Sequence, residues 1–138
     1  MAEALMRKSL RDLGKNDIAV SSAGVSAMSG MPPSDETIAL MEREGLDVAG
    51  FESDALTNDM IDDADLVLVM EAMHKEAVIE RVSAARGKTF MLKEYGSPAE
   101  SCASSTLDVP DPIGRPMEDY EYCFDAIKKH VERIAKLI

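Results

Sequence analysis

The sequence is poor in the residues that build disulfide scaffolds and metal sites. Its 138 residues include 2 cysteines, 2 histidines and no tryptophan. Cys102 and Cys123 are far apart and form no Cys-x-x-Cys pair, and neither His74 nor His130 has metal-ligand spacing. Zinc and disulfide frameworks depend on such spacings. We therefore expect no metal and no cofactor, and we interpret Cys123, which lies in a helical pattern, as a buried apolar filler.

Long apolar runs and an excess of positive charge are also missing. The longest run, ADLVLVM, is strand-sized and too short to cross a bilayer. Lys and Arg total 15 against 26 for Asp and Glu, which gives a net charge of −11. A field of that sign repels nucleic acid and anionic membranes, so we expect neither as a partner. With no leader pattern at the start of the chain, we expect a cytoplasmic location.

What is present predicts one α/β domain over residues 1–138. Hydrophobic residues make up 46% and charged residues 30%, as in a globular chain. DLVLVM is apolar without alternation, which is typical of a strand covered on both faces in a parallel sheet. The patterns predict strands at 18–20, 65–70 and 88–92 and helices at 2–13, 35–44, 71–83 and 117–137, with a short helix capped by Thr57. A long loop, 93–116, separates the last strand from the last helix, and loops of that length are usually functional.

Four short stretches carry a resemblance to one known family. In chain order they are MAEAL at 1–5, VSSAG at 20–24, ADLVLVM at 64–70 and DVPDPIG at 108–114. Together they resemble the low-molecular-weight protein tyrosine phosphatases, and the resemblance covers residues 1–138. It implies a three-layer flavodoxin-like fold, with parallel strands and helices on both faces of the sheet.

The resemblance also implies a mechanism. A cysteine thiolate in a Cys-x5-Arg loop attacks the phosphoryl group, and an aspartate on a second loop protonates the leaving group. Asp111, followed by Pro112, matches that general acid. From the residues alone, the stretch Pro-Asp-Pro favours plain turn chemistry. Asp108 is a weaker candidate because it lacks the following Pro-x-Gly.

Two further positions concern the substrate loop. Ser22 matches a family serine whose hydroxyl supports the catalytic loop, although a serine that merely ends a strand is nearly as good an interpretation. Ile113 stands where tyrosine-selective members carry an aromatic that stacks on the substrate ring, and the loop 25–33 contains no aromatic. The implied partner is a phosphorylated protein, carrying phosphotyrosine or phosphoarginine. LKEY at 92–95 is similar to the protein arginine phosphatase branch.

The sequence departs from the family at the nucleophile. No cysteine has an arginine six residues later, because Asp108 follows Cys102 and Lys129 follows Cys123 at that spacing. We therefore expect the first, central strand and the Cys-x5-Arg loop to be missing from an N-terminally truncated chain. Such a chain would hydrolyse no phosphomonoester by itself. Its exposed strand edges would favour a dimer or a swapped oligomer.

Three interpretations are compatible with this departure. The first is a phosphatase whose start was assigned to an internal methionine, or which was cut there. The second is a non-catalytic pseudo-phosphatase or binding module, against which the intact Asp111 argues mildly. The third is an arsenate reductase of the same fold class. It ranks last because the stretch EAMHKEAV after the strand has no redox cysteine pair.

Overall fold

A small parallel sheet lies between two groups of helices in the computed structural model, which describes residues 1–98 and 107–138. Strands β1 and β2 pair in parallel, with Val67 opposite Thr89 and Val69 opposite Met91. The elements are α1 (Ala2–Asp12), α2 (Asp35–Arg43), α3 (Asn58–Asp63), β1 (Val67–Val69), α4 (Ala72–Arg81), a 3₁₀ segment (Ser83–Lys88), β2 (Thr89–Met91) and α5 (Met117–Leu137).

Helix boundaries lie where cap residues stand in the sequence. The Ser34 hydroxyl accepts a hydrogen bond from the Thr37 amide and starts α2, and the Thr57 hydroxyl does the same for α3. Gly14 follows α1 with a φ of 74°, a left-handed conformation that glycine adopts without strain. The predicted helices are therefore confirmed, with ends shifted by one or two residues in most cases.

Successive strand residues face opposite hydrophobic clusters, which puts helices on both faces of the sheet. Val69 and Met91 lie in a cluster with side chains of α3 and α4. Leu68 packs against a larger cluster with side chains of α1, α2 and α5. The predicted apolar stripe of α5 is part of the larger cluster: Tyr120, Phe124, Ile127, Val131 and Ile134 are buried, and Ile138 packs against them. The α/β class and the two helical layers are as predicted.

The predicted strand at 18–20 is wrong. Among the described residues the sheet has two strands, and Ile18–Val20 is irregular chain. A strand forms only when its backbone groups find a ladder partner, and the Val20 carbonyl instead accepts from the Arg7 guanidinium at 2.7 Å. The other two predicted strands are shorter than expected, at three residues each. Within the described ranges, no helix combines the length and apolarity that crossing a membrane requires.

Candidate active site

A cavity of about 330 Å³ opens where β1 ends and α4 begins. The N-terminal parts of four helices meet the irregular segment 109–113 around it. Side chains of the carboxyl, imidazole, hydroxyl and thiol classes share its wall with apolar ones: Met1, Ser34, Thr37, Met70, Glu71, His74, Val109, Pro110, Asp111, Pro112, Ile113, Tyr120, Cys123 and Ile127. Ligands of parallel α/β folds bind at this end of the strands.

Asp111 stands at the rim of this cavity on an exposed loop. Its Oδ1 accepts a hydrogen bond from the Ile113 amide at 3.0 Å. Pro110 and Pro112 restrict the backbone on either side of it. A carboxyl group held in this way can give a proton to, or take one from, a group bound in the cavity. The Ile113 side chain is 74% exposed and forms part of the same rim.

Asp108 has a different environment from Asp111. Its Oδ1 accepts a hydrogen bond of 2.8 Å from the Ala72 amide at the start of α4. Its carbonyl accepts one of 2.8 Å from Lys93 Nζ. The next amide, that of Val109, donates to the Met70 carbonyl at 2.7 Å. These bonds attach the segment that leads to Asp111 to the ends of both strands.

Glu71 and His74 line the cavity and were not found by sequence reasoning. His74 Nε2 lies 4.0 Å from Glu71 Oε1, and the side chains are 29% and 25% exposed respectively. A usable signal was present, because Glu71 comes directly after the buried stretch DLVLVM and His74 follows three residues later. Residues at the carboxyl end of a parallel strand are the expected site formers in such a sheet.

Cys123 is buried in the wall, as predicted, and is not set up as a nucleophile. It is 5% exposed, and its Sγ lies 3.7 Å from the Pro110 carbonyl oxygen. Burial raises the pKa of the Cys123 thiol, and the nearby negative charge of Asp111 raises it further. A thiol becomes a good nucleophile when its surroundings lower its pKa. Cys102 lies outside the described residues.

Ser22 is not part of the cavity wall. Its hydroxyl donates to Glu3 Oε2 at 2.5 Å, and Glu3 Oε1 pairs with Arg7 at 2.7 Å. Glu3 and Arg7 border a second cavity of about 410 Å³, which is lined also by residues of 47–51. That cavity is larger but has neither Asp111 nor the end of β1 in its wall, so we consider the first one the candidate site.

The start of α1 lies between the two cavities. Met1 borders the cavity of Asp111, and Glu3, in the first turn, holds Ser22. Met1, the N-cap residue of this helix, makes no side-chain cap hydrogen bond, and amides of a first helical turn can bind an anion. In the described parts of the chain, no group of three or more His, Cys, Asp or Glu side chains is arranged to hold a metal ion.

Comparison with known proteins agrees with this architecture. Residues 1–138 match the sequence model of the family described as low molecular weight phosphotyrosine protein phosphatase. The protein-arginine-phosphatase of Bacillus subtilis is 33% identical over 137 residues, which are 99% of this chain and 85% of that protein. The probable low molecular weight protein-tyrosine-phosphatase EpsP of Ralstonia nicotianae is 30% identical over 132 residues, 96% of this chain and 81% of that protein.

A solved structure of the YwlE arginine phosphatase, a cysteine-to-serine mutant with a phosphorylated active site serine, superposes with a TM-score of 0.84 at 29% identity. The superposition covers 99% of this chain and 84% of that one. The match of the family model over the whole chain and the identity to two curated relatives lead to one assignment. The chain belongs to the low molecular weight phosphotyrosine protein phosphatase family.

Proposed function

We propose that this chain carries the general-acid half of a protein phosphatase site and that Asp111 is the acid. The observation that carries the proposal is the position of Asp111 at the rim of a cavity that also borders the start of α1. Amides at a helix N-terminus bind phosphate, and a carboxyl group beside the bound phosphate can protonate its leaving group. Members of the family act on phosphorylated proteins, so the proposed substrate is a phosphorylated protein.

The reaction proceeds in two displacements through a cysteine-phosphoenzyme. A cysteine thiolate forms a bond to phosphorus while the bond from phosphorus to the leaving group breaks, and Asp111 gives its proton to the departing atom. Water then attacks the phosphocysteine, Asp111 takes a proton from that water, and the sulfur–phosphorus bond breaks to release phosphate and thiolate. The phosphorylated active site serine in the cysteine-to-serine mutant of YwlE supports such a phosphoenzyme in a relative.

Neither cysteine of residues 1–138 fits the nucleophile of this scheme. Cys123 is buried and its thiol pKa is raised, and no arginine follows either cysteine at the family spacing. We infer that the nucleophile arrives on a Cys-x5-Arg loop that follows a strand at the open edge of β1. In the described part of the chain only β2 pairs with β1. Without that loop the chain is expected to be inactive.

A strand paired with the edge of β1 that β2 leaves open would also complete the sheet. Ile18, Val20 and Leu68 are half-buried at the margin of the larger core, and a third strand would cover them. Burying three or four large aliphatic side chains of such a strand is worth about 5–10 kcal/mol. We propose that a second copy of the chain fills the position when no strand is supplied, which gives a dimer or a swapped oligomer. The single domain over 1–138 and a cytoplasmic location are parts of the same proposal.

The cavity favours phosphoarginine over phosphotyrosine as the substrate group. Glu71 and Asp111 bring two carboxylates to its wall, and no lysine or arginine is among its described lining residues. A guanidinium group complements two carboxylates, whereas a phenyl ring needs an apolar or aromatic surface. Ile113 offers no ring to stack on, and the one aromatic of the wall, Tyr120, is 4% exposed.

The test uses an extended chain, in which residues 1–138 follow the segment that precedes the matched region of the Bacillus subtilis protein-arginine-phosphatase. We expect the extended chain to be a monomer that releases phosphate from phosphoarginine peptides. We expect the 138-residue chain to be inactive and to sediment as a dimer or larger. Asp111→Asn should lower kcat of the extended chain by about 10²–10⁴, and Asp17→Asn, at an exposed aspartate, should not change it.

Different results would refute different parts of the proposal. Phosphate release by the purified 138-residue chain would show that the nucleophile is already present. Full activity of Asp111→Asn would remove Asp111 from the mechanism. An inactive but folded extended chain that still binds phosphorylated peptides would favour the second candidate function, a pseudo-phosphatase.

A second comparison tests the substrate group. We expect the extended chain to have a higher kcat/KM on phosphoarginine peptides than on phosphotyrosine peptides of the same sequence. Ile113→Phe, which adds an aromatic ring to the rim, should raise kcat/KM for phosphotyrosine by about tenfold and leave the value for phosphoarginine nearly unchanged. A preference for phosphotyrosine in the unsubstituted protein would contradict the assignment.

A further inference from the structure

The segment that carries Asp111 has no regular secondary structure of its own. Residues 107–113 belong to no helix or strand, so external contacts must hold the carboxyl group in place. Proton transfer requires the acid within hydrogen-bond reach of the departing atom, and a misplacement of about 1 Å can cost about 10²-fold in rate. The contacts that hold this segment therefore bear on the reaction itself.

One of these contacts involves the start of α4. Glu71 occupies the N-cap position of α4 but makes no side-chain cap hydrogen bond. The Ala72 amide, the first of the helix, donates instead to Asp108 Oδ1 at 2.8 Å. Asp108 thus supplies from a distant loop an acceptor for one of the first-turn amides that have no partner within the helix. Its negative charge also lies at the positive end of the helix dipole.

Two backbone contacts reinforce this anchor. Lys93 Nζ donates to the Asp108 carbonyl at 2.8 Å, and the amide of Val109, a residue 3% exposed, donates to the Met70 carbonyl at 2.7 Å. Between this anchored pair and Asp111 stands one residue, Pro110, whose ring fixes φ. The position of Asp108 is therefore transmitted to Asp111 through a short segment with little freedom.

We propose that Asp108 is a positioning residue, which caps α4 from the loop and thereby holds Asp111 at the rim of the cavity. This inference rests on the proposed function in so far as Asp111 is the general acid. It predicts a selective defect. Replacing Asp108 should lower the rate more for a substrate whose leaving group needs a proton, such as phenyl phosphate. The loss should be smaller for dinitrophenyl phosphate, whose leaving group departs without a proton.

The test compares three variants of the extended chain on these two substrates. Asp108→Ala should lower kcat/KM, which covers the steps up to departure of the leaving group, by about tenfold on phenyl phosphate and by less than about twofold on dinitrophenyl phosphate. Asp108→Asn keeps an acceptor oxygen and should restore most of the difference, since asparagine caps helices well. Thr57→Ala is the matched control, because it removes a cap hydrogen bond of α3 away from the cavity. It should leave the ratio of the two rates unchanged.

Equal losses on both substrates would overturn the proposal, as would an Asp108→Asn variant no better than Asp108→Ala. A second readout does not depend on activity. Amide hydrogen exchange at Ile113, whose N–H is bound to the Asp111 carboxylate, should become about tenfold faster in Asp108→Ala and not in Thr57→Ala. An unchanged exchange rate at Ile113 would refute the positioning role.

If the extended chain is inactive, the proposed function fails, and the exchange rates still decide whether Asp108 holds Asp111.

Discussion

Glu44 joins three helices, and its replacement by glutamine should weaken the whole fold. Glu44 stands at the end of α2, and its side chain is 16% exposed. Its two oxygens face lysines of different helices: Oε1 lies 2.8 Å from Lys128 of α5, and Oε2 lies 3.3 Å from Lys8 of α1. One carboxylate therefore supports two charged hydrogen bonds between elements that are far apart in the sequence.

The expected cost of Glu44→Gln follows from the exposure of the partners. The two lysine side chains are 32% and 36% exposed, so each can return to water when its partner is neutral. Partly exposed pairs contribute about 0.2–1 kcal/mol each, and the glutamine amide keeps one acceptor. We expect a loss of about 0.5–2 kcal/mol in the free energy of unfolding, which corresponds to a Tm lower by about 2–10 °C.

The sign of the pH dependence separates this electrostatic cause from a packing cause. The hydrogen bond from Lys128, opposed by burial and aided by the bond from Lys8, holds the pKa of Glu44 below its usual value. The stabilisation is therefore complete above the pKa of an unfolded glutamate, about 4.3, and is lost as the pH falls through the lower folded-state value. Wild type and Glu44→Gln should differ at pH 7, and the difference should shrink as the pH falls below about 4.3.

The free energy of unfolding is measured by urea unfolding of the extended chain at pH 7 and pH 3, with Glu42→Gln as the control. Glu42 is an exposed glutamate of the same helix, so its substitution should change stability by less than about 0.5 kcal/mol. A difference between wild type and Glu44→Gln that is as large at pH 3 as at pH 7 would refute the electrostatic reasoning. Equal stabilities of Glu44→Gln and Glu42→Gln at pH 7 would refute it as well.

Three further substitutions probe other parts of the fold by urea unfolding. Lys15→Met removes the ammonium group that donates to the last carbonyls of α5 and should cost about 1–3 kcal/mol; an unchanged midpoint would contradict this role. Ile134→Ala opens a cavity at a side chain with no exposure and should cost about 2–5 kcal/mol. Gly96→Ala should cost about 1–3 kcal/mol, because Gly96 has a φ of 66° and its added methyl group would meet Leu137. Gly87→Ala, in open space, should be close to neutral.

The helices were predictable from the sequence because their signals are local. Ser34 and Thr57 act as caps through amides three residues away, and the apolar stripe of α5 repeats within one segment. Strand formation depends on partners that are distant in the sequence. The segment 18–20 has the composition of a strand, yet within residues 1–98 and 107–138 no strand pairs with it. Its β-propensity was real, and its pairing could not be predicted from its own residues.

In the candidate site, too, features defined by neighbouring residues were predictable from the sequence, and features that depend on tertiary contacts were not. The motif around Asp111 was visible in the sequence, since two prolines and a glycine define it locally. Glu71 and His74 were missed because their approach to the cavity depends on where α4 starts relative to the loop 107–113. Ser22 was expected beside the catalytic loop, and its hydroxyl is bound to Glu3 in the first turn of α1. A match to a family position identifies a residue, but its contacts depend on what the rest of the chain brings near it.

Asp108 and Asp111 are three residues apart but have different contacts. Both are aspartates of one short motif, and composition alone cannot assign them different roles. Their surroundings differ: Asp108 meets the amide at the start of a helix, whereas Asp111 accepts from an amide of its own loop and remains exposed at the cavity. A carboxylate that accepts from a helix amide holds its loop to that helix, whereas an exposed carboxylate at a cavity can reach a group bound there. A tertiary contact 36 residues away in sequence is thus the observation that separates the proposed anchor, Asp108, from the proposed acid, Asp111.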